Sequence, residues 1–248
     1  MCTRVVLQAE SKKKRMQVEV AYDLSQTEVV HVLIIHNTHE TAGSSLPSLA
    51  DRRDNASLLV STLEKLKPVR ITSVYNATGS EMRDTTARFI RSAQKKVDKD
   101  GHVVTLFYFS GYGLGYEADR EDSILCGEDY NDKSLEVPYR LDAEYFQFMQ
   151  SVPGLHMLLL DCCHVNGSFR FRMPVLPPRF HALYTDVAQP GFSDSHVSPL
   201  TRVWCAHTHL PDSLEDHSKR VRVSLLLCYE KPFTSYECST LLNHFEFQ

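Results

Sequence analysis

The residues best equipped for chemistry stand where two apolar runs stop. Residues 155–160 end in Asp161-Cys162-Cys163-His164, and residues 103–109 end in Ser110-Gly111-Tyr112-Gly113. In open α/β sheets, catalytic groups collect at the carboxyl ends of parallel strands, so both positions are candidates. A thiol there is offered as a nucleophile, while glycines on both sides of Tyr112 leave room for a substrate and free a backbone N–H for an anion. The arrangement is that of a cysteine hydrolase, but its neighbouring strand end carries a phenol and no imidazole. A phenol with pKa near ~10 is about 0.1% ionised at pH 7, so a phenolate base costs about 4 kcal/mol before any reaction. His164 is a poor replacement, because consecutive residues leaving a strand point to opposite sides. His36 and His39 follow another apolar run and are the candidates for a displaced base.

The elements that must position these groups are legible as alternating patterns. Strand candidates are residues 16–22, 29–35, 69–75, 103–109, 155–160, 202–207 and 221–229, and no linker separates them from segments of helical period. That order predicts an α/β sheet. The near-continuous apolar runs at 29–35 and 155–160 read as central strands covered on both faces, and the alternating 16–22 as an edge. Ala56, Leu59, Val60, Leu63 and Leu66 share one helical face, as do Met82, Phe89, Ile90, Ala93 and Val97 in the next segment, which opens with a Thr78/Glu81 capping box. Further helices are expected over 142–150 and after Thr234. The Pro-rich stretch 170–199 reads as an irregular loop dividing a larger section, 1–169, from a smaller one, 200–248.

Composition bounds the rest. The chain has 248 residues, 42% of them apolar and 23% charged, enough for a substantial core. With 27 Lys+Arg against 31 Asp+Glu, its net charge of −4 gives no basic excess for nucleic acid. No stretch approaches the roughly 20 apolar residues of a membrane span, and the first 15 residues lack a signal-peptide core. The expected location is cytoplasmic, with the basic run at residues 12–15 as a nuclear-address candidate. Seven cysteines without framework spacing are expected to be reduced. Of the adjacent pair, one is expected to pack under the sheet and the other to be exposed.

With these motifs in place, the sequence resembles the caspase-like cysteine peptidases, most closely the paracaspase and metacaspase branch. In that family a strand ending Ser-Gly-His-Gly supplies the base, and a later strand ending Asp-x-Cys-His or Asp-x-Cys-Arg supplies the nucleophile. Supporting matches are Val32-Leu33-Ile34-Ile35, Asp54-Asn55-Ala56, Ser80-Glu81-Met82 and Ile124-Leu125-Cys126-Gly127-Glu128-Asp129. The resemblance implies one caspase-like domain, a three-layer α/β/α sandwich on a mainly parallel six-stranded sheet. By position it implies Cys163 as nucleophile, Tyr112 in place of the histidine base, and the N–H groups of Cys163 and Gly113 as oxyanion hole. It also implies Asp161 as the acidic wall of a pocket for Arg or Lys, with Asn55 at the second carboxylate position and Asp54 beside it.

Two functions follow from that implication. The first is a catalytically impaired pseudopeptidase acting as a binding, scaffold or regulatory protein. The alternative is an active cysteine endopeptidase cleaving after Arg or Lys with a displaced base. Either engages a protein or peptide and needs no cofactor, and monomer and homodimer are both open. Three other constellations read as weaker. Cys205, His207 and His209 would share one strand face as N/S metal ligands, but no fourth ligand is evident. Residues 117–132 hold seven carboxylates against one Arg without EF-hand order, which reads as a solvated acidic loop or a docking surface for a basic partner. Gly111-x-Gly113-x-Gly115 lacks the spacing of a dinucleotide turn.

Overall fold

The computed structural model describes residues 3–9, 16–22, 29–40, 44–66, 69–117, 120–131, 139–164, 169–171, 173–188 and 196–207. Among the described residues ten strands and four α-helices follow one another: β1 Thr3–Ala9, β2 Met16–Tyr22, β3 Val30–His36, α1 Asn55–Leu66, β4 Val69–Tyr75, α2 Gly79–Asp100, β5 Val103–Glu117, β6 Arg120–Leu125, β7 Tyr139–Arg140, α3 Gln147–Met149, β8 Gly154–His164, β9 Phe169–Arg170, β10 Phe180–Ala188 and α4 Pro199–His207. Five strands form a parallel array in the order β10-β8-β5-β3-β4. The far end of β5 continues into antiparallel pairing with β6 and β9, and β6 pairs with β7.

The apolar runs behave as central strands. Val32 to Ile35 of β3 and Leu158 to Leu160 of β8 are all buried, because helices cover both sides of the sheet. On one face lie Leu33, Ile35, Phe107, Phe109, Leu158 and Leu160, packed with Met82, Phe89, Ala93 and Val97 of α2. The opposite face carries Val32, Ile34, Leu106, Tyr108 and Leu159, packed with Ala56, Leu59 and Leu63 of α1 and Leu200, Val203 and Cys205 of α4. The result is the expected α/β/α sandwich. At the start of α2 the Thr78 side chain accepts from the Glu81 backbone N–H while the Glu81 carboxylate accepts from Thr78, and the helix stops at Gly101, whose φ of 80° suits a residue without Cβ.

Several sequence expectations are corrected. Residues 202–207 belong to a helix, α4, because Ser198 caps it: the Thr201 N–H donates to Ser198 Oγ, and Pro199 takes the first helical position, where its missing N–H is harmless. The stretch 170–199 is not wholly irregular, since Phe180–Ala188 enters the sheet beside β8. The parallel array therefore includes β10, a strand not expected from the sequence, and residues 221–229 and the helix expected after Thr234 lie outside the described residues. Residues 16–22 do form a strand, but it pairs with β1 in a separate two-stranded antiparallel sheet. The alternately exposed β4 occupies the edge position instead. The helix expected over 142–150 begins as a π-turn, Asp142–Phe146, which turns Tyr145 and Phe146 into the core.

Candidate functional site

Strand register assembles the site. Tyr112 of β5 lies directly opposite Cys163 of β8, and one step down the strands His36, Ser110 and Asp161 form a row across β3, β5 and β8. Side chains alternate along a strand, so both rows share the face covered by α1 and α4. Tyr112 and Cys163 belong to one buried cluster with Leu49, Leu114, Ile124 and Cys126. Cys162 points the other way into the main core, as expected of adjacent residues. The expectation that its neighbour is exposed fails: Cys163 is only 1% exposed, because Leu49 and the β6 end close over this end of the sheet.

Tyr112 is fully buried, and its hydroxyl has no hydrogen-bond partner. Burial, and then the neighbouring Cys163 thiol, push the phenol further above its ordinary value, so the phenolate is even less accessible than in water. Gly113 has no room for a side chain, since a Cβ would lie 2.8 Å from Cys162 Sγ and 3.0 Å from Phe171. His164 follows on the opposite face from Cys163 and is buried.

The two candidate bases occupy different places. His36 is buried at the end of β3, edge-on to the ring of Tyr75. Desolvation lowers its pKa and outweighs the Arg53 main chain and the Asp161 carboxylate, which favour the charged form. His39 sits with φ of 54°, its N–H donating to Glu128 Oε1 at 2.7 Å and its Nδ1 3.0 Å from Ser44 Oγ. Its ring stands edge-on against Tyr112 with centroids 5.2 Å apart, and its Nε2 has no hydrogen-bond partner. Burial lowers this pKa too, against the pull of Glu128 and Asp129. In both, burial favours the neutral imidazole.

Asp161 is the best-connected group of the site. Its Oδ1 accepts from Arg52 Nη1 at 2.6 Å, and the same nitrogen reaches the Asp161 carbonyl at 3.3 Å. Its Oδ2 accepts from Thr201 Oγ1 at 2.7 Å, from Asn55 Nδ2 at 3.3 Å and from Ser198 Oγ. Asn55 is fully buried and also donates to Ser110 Oγ, while its Oδ1 accepts from the Ser198 N–H. Asp54, grouped with these residues from the sequence, is exposed. Its carbonyl starts α1 by accepting from Leu58 N–H, and the turn of chain this requires directs the next side chain, Asn55, inward.

Arg52, Ser198 and Thr201 were not visible as site residues, because they reach Asp161 from positions 109, 37 and 40 residues away. Asn37 was also missed, although it fixes the β3 end: its Nδ2 donates to the carbonyls of Ala77 and Cys126, and its Oδ1 accepts from the Ala77 N–H. The acidic segment is partly structural, with Glu128 buried against His39 and Asp129 accepting from Gly79 N–H at 2.7 Å. The metal constellation loses its strand geometry, since Cys205 and His207 belong to α4, where alternation along a strand does not apply; Cys205 faces the core with its pKa pushed up to about 11 by burial, and His209 lies outside the described residues. Among the described residues no group of three His, Cys, Asp or Glu side chains is placed to hold a metal, and no helix is long and apolar enough to cross a membrane.

A mainly parallel sheet between two helical layers, with a thiol and a Gly-flanked residue on adjacent strand ends, defines the caspase-like class. The family model described as Caspase domain matches residues 29–229, and the chain belongs to that family. Among solved structures it is similar to pro-sf-caspase-1, at 15% identity and a TM-score of 0.59 over 84% of this chain and 85% of that one. It is also similar to caspase-1 from Spodoptera frugiperda, at 13% identity and a TM-score of 0.57 over 90% of this chain and 84% of that one. At such identities these two likenesses speak for the fold alone. No curated protein gives a significant match.

Proposed function

We propose that this caspase-family protein acts by binding a protein or peptide and not by hydrolysing one. The observation that carries the reading is Tyr112 in register with Cys163, a buried neutral phenol where the family places an imidazole. That phenol can serve the thiol neither as a base of useful strength nor as an imidazolium-type acid for the leaving amine. Asp161 supports the same reading, because its oxygens already hold Arg52, Ser198, Thr201 and Asn55. The Asp-x-Cys-His order at 161–164 supports a place on the paracaspase and metacaspase side of the family, and a scaffold or regulatory role in the cytoplasm follows as the working assignment.

Turnover of fluorogenic peptides ending in Arg, Lys or Asp, with and without calcium, tests this directly. The expected result is no turnover above buffer and no change on Cys163→Ala. Turnover abolished by Cys163→Ala overturns the reading. One observation favours the alternative of an active endopeptidase with a displaced base: His39, with its unpartnered Nε2, rests against Tyr112. That alternative predicts turnover lost on His39→Gln.

A further inference from the structure

Binding a peptide needs a surface that the strand-end site does not offer in this structure. Cys163 and Asp161 are each 1% exposed, and the Asp161 carboxylate already accepts from four side chains. The edge of the sheet does offer one. β4 ends the parallel array, and among the described residues it pairs only with β3.

Edge strands are normally blunted by Pro, Lys, bulges or short length. β4 has 7 residues, Val-Arg-Ile-Thr-Ser-Val-Tyr, with Arg70 as its only charge. It runs in unbroken register with β3, from Val69 opposite Val30 to Tyr75 opposite His36. The next residue, Asn76, donates its N–H inwards to the His36 carbonyl at 2.8 Å. Backbone polar groups alternate along a strand, so the N–H and C=O of Ile71, Ser73 and Tyr75 point away from β3, where a further strand would lie.

The two ends of this edge differ in chemistry. Tyr75 is 51% exposed, its ring edge-on to His36, and by alternation it shares the face of Val69 and Ile71, which pack on the α1 side. The exposed Arg70 lies on the opposite face with Val74, on the α2 side. Burial, and then Arg70 and Lys96 of α2, lower the His31 pKa, so both cations lie near the start of β3.

We propose that the free edge of β4 is the peptide-binding surface, and that it takes an extended segment as an added antiparallel strand, with a carboxylate opposite Arg70 and an apolar side chain opposite Tyr75. The proposal rests on the binding reading above and gives it a surface and a ligand chemistry. Main-chain hydrogen bonds to Ile71, Ser73 and Tyr75 supply the attachment, and antiparallel pairing is the more stable direction per residue. The basic end and the aromatic end fix the register, because a slip of one residue turns both partner side chains to the wrong face.

The experiment uses the full chain and a fluorescein-labelled peptide, Phe-Thr-Val-Thr-Val-Glu-Thr, written so that Phe meets Tyr75 and Glu meets Arg70. Anisotropy is expected to show saturable binding below about 1 mM. Amide hydrogen exchange is expected to slow over 69–76 and not over 161–164. Ser73→Pro removes an outward N–H and leaves the N–H groups that face β3, and is expected to weaken binding about tenfold. Arg70→Glu is expected to weaken it about fivefold and to prefer the peptide with Lys in place of Glu.

No saturable binding to wild type overturns the proposal, as does binding that leaves exchange over 69–76 unchanged. Wild-type affinity in Ser73→Pro overturns it too. If Ser73→Pro fails to fold, the charge swap decides: Arg70→Glu must exchange its preference from the Glu to the Lys peptide, and an unchanged preference overturns the proposal. Turnover of fluorogenic peptides by the same preparations bears on the binding function instead, since activity there overturns that reading and leaves the β4 result standing.

Discussion

Asp161→Asn separates a structural carboxylate from one that waits for a substrate. In the structure two oxygens accept four side-chain donors, one of them the buried Arg52 guanidinium. An amide in the same place has one oxygen and one NH2. The hydroxyls of Ser198 and Thr201 can rotate to accept from that NH2, but Arg52 and the Asn55 Nδ2 only donate, so the amide oxygen must face Arg52 and Asn55 loses its acceptor at this position. The Arg52 contact survives as a hydrogen bond to a neutral oxygen, and the ion pair does not. Breaking a buried pair by removing one partner costs 3–5 kcal/mol, and since the oxygen still receives a hydrogen bond, about 3 kcal/mol is expected here. For a chain of this size about 1 kcal/mol moves Tm by roughly 2–4 °C, so the midpoint is expected to fall by roughly 6–12 °C. The assay is urea and thermal unfolding of four proteins: wild type, Asp161→Asn, Arg52→Met and the double variant. Coupling requires the double variant to be less destabilised than the sum of the singles by more than about 1 kcal/mol. A Tm change under about 2 °C for Asp161→Asn, or strict additivity, would refute the reasoning and leave Asp161 as an open pocket wall.

Three further outcomes follow from the same geometry. His156 is buried, its Nε2–H donating to the Val152 carbonyl and its Nδ1 accepting from Thr105 Oγ1, and desolvation brings its pKa down to about 4. The unfolded state, titrating near 6.5, binds the proton first, so stability is complete above that pH and is lost as pH falls towards 4, by roughly 3 kcal/mol; His156→Gln should flatten urea-derived stability against pH over this window, and an unchanged slope counts against the assignment. Tyr112→His should shift the pH profile of Cys163 alkylation to lower pH through a larger thiolate fraction while peptide cleavage stays weak, and identical profiles over pH 6 to 9 would mean that residue 112 does not face the thiol. Gly113→Ala forces a Cβ to within 2.8 Å of Cys162 Sγ and should lower stability by about 1–3 kcal/mol, whereas a neutral effect would show that β5 and β8 approach less closely than the structure has them.

Much of this protein was written in local pattern. Buried runs such as 29–35 and 155–160 can be satisfied only between two covering layers, so their composition alone placed them at the sheet centre. The capping box at Thr78 and Glu81 and the stripe from Met82 to Val97 specified α2, because both depend on residues within a few turns of one another. The motifs after two strands also put Tyr112 and Cys163 at neighbouring strand ends, and the register agrees. Short elements were less legible. Residues 202–207 carry few residues that distinguish strand from helix, and the Ser198-Pro199 start signal that decides the matter lay just outside the segment considered. Residues 180–188 are hidden among prolines, and become a strand because β8 offers a free edge to pair with. What only the tertiary structure decided was the state of the site. Whether Asp161 faces a substrate or an internal arginine depends on a guanidinium that arrives from 109 residues away, and whether Cys163 meets solvent depends on where Leu49 comes to rest. No local propensity encodes either contact, since each exists only after the sheet has brought distant segments together and burial has made an unpaired charge costly enough to select its partner.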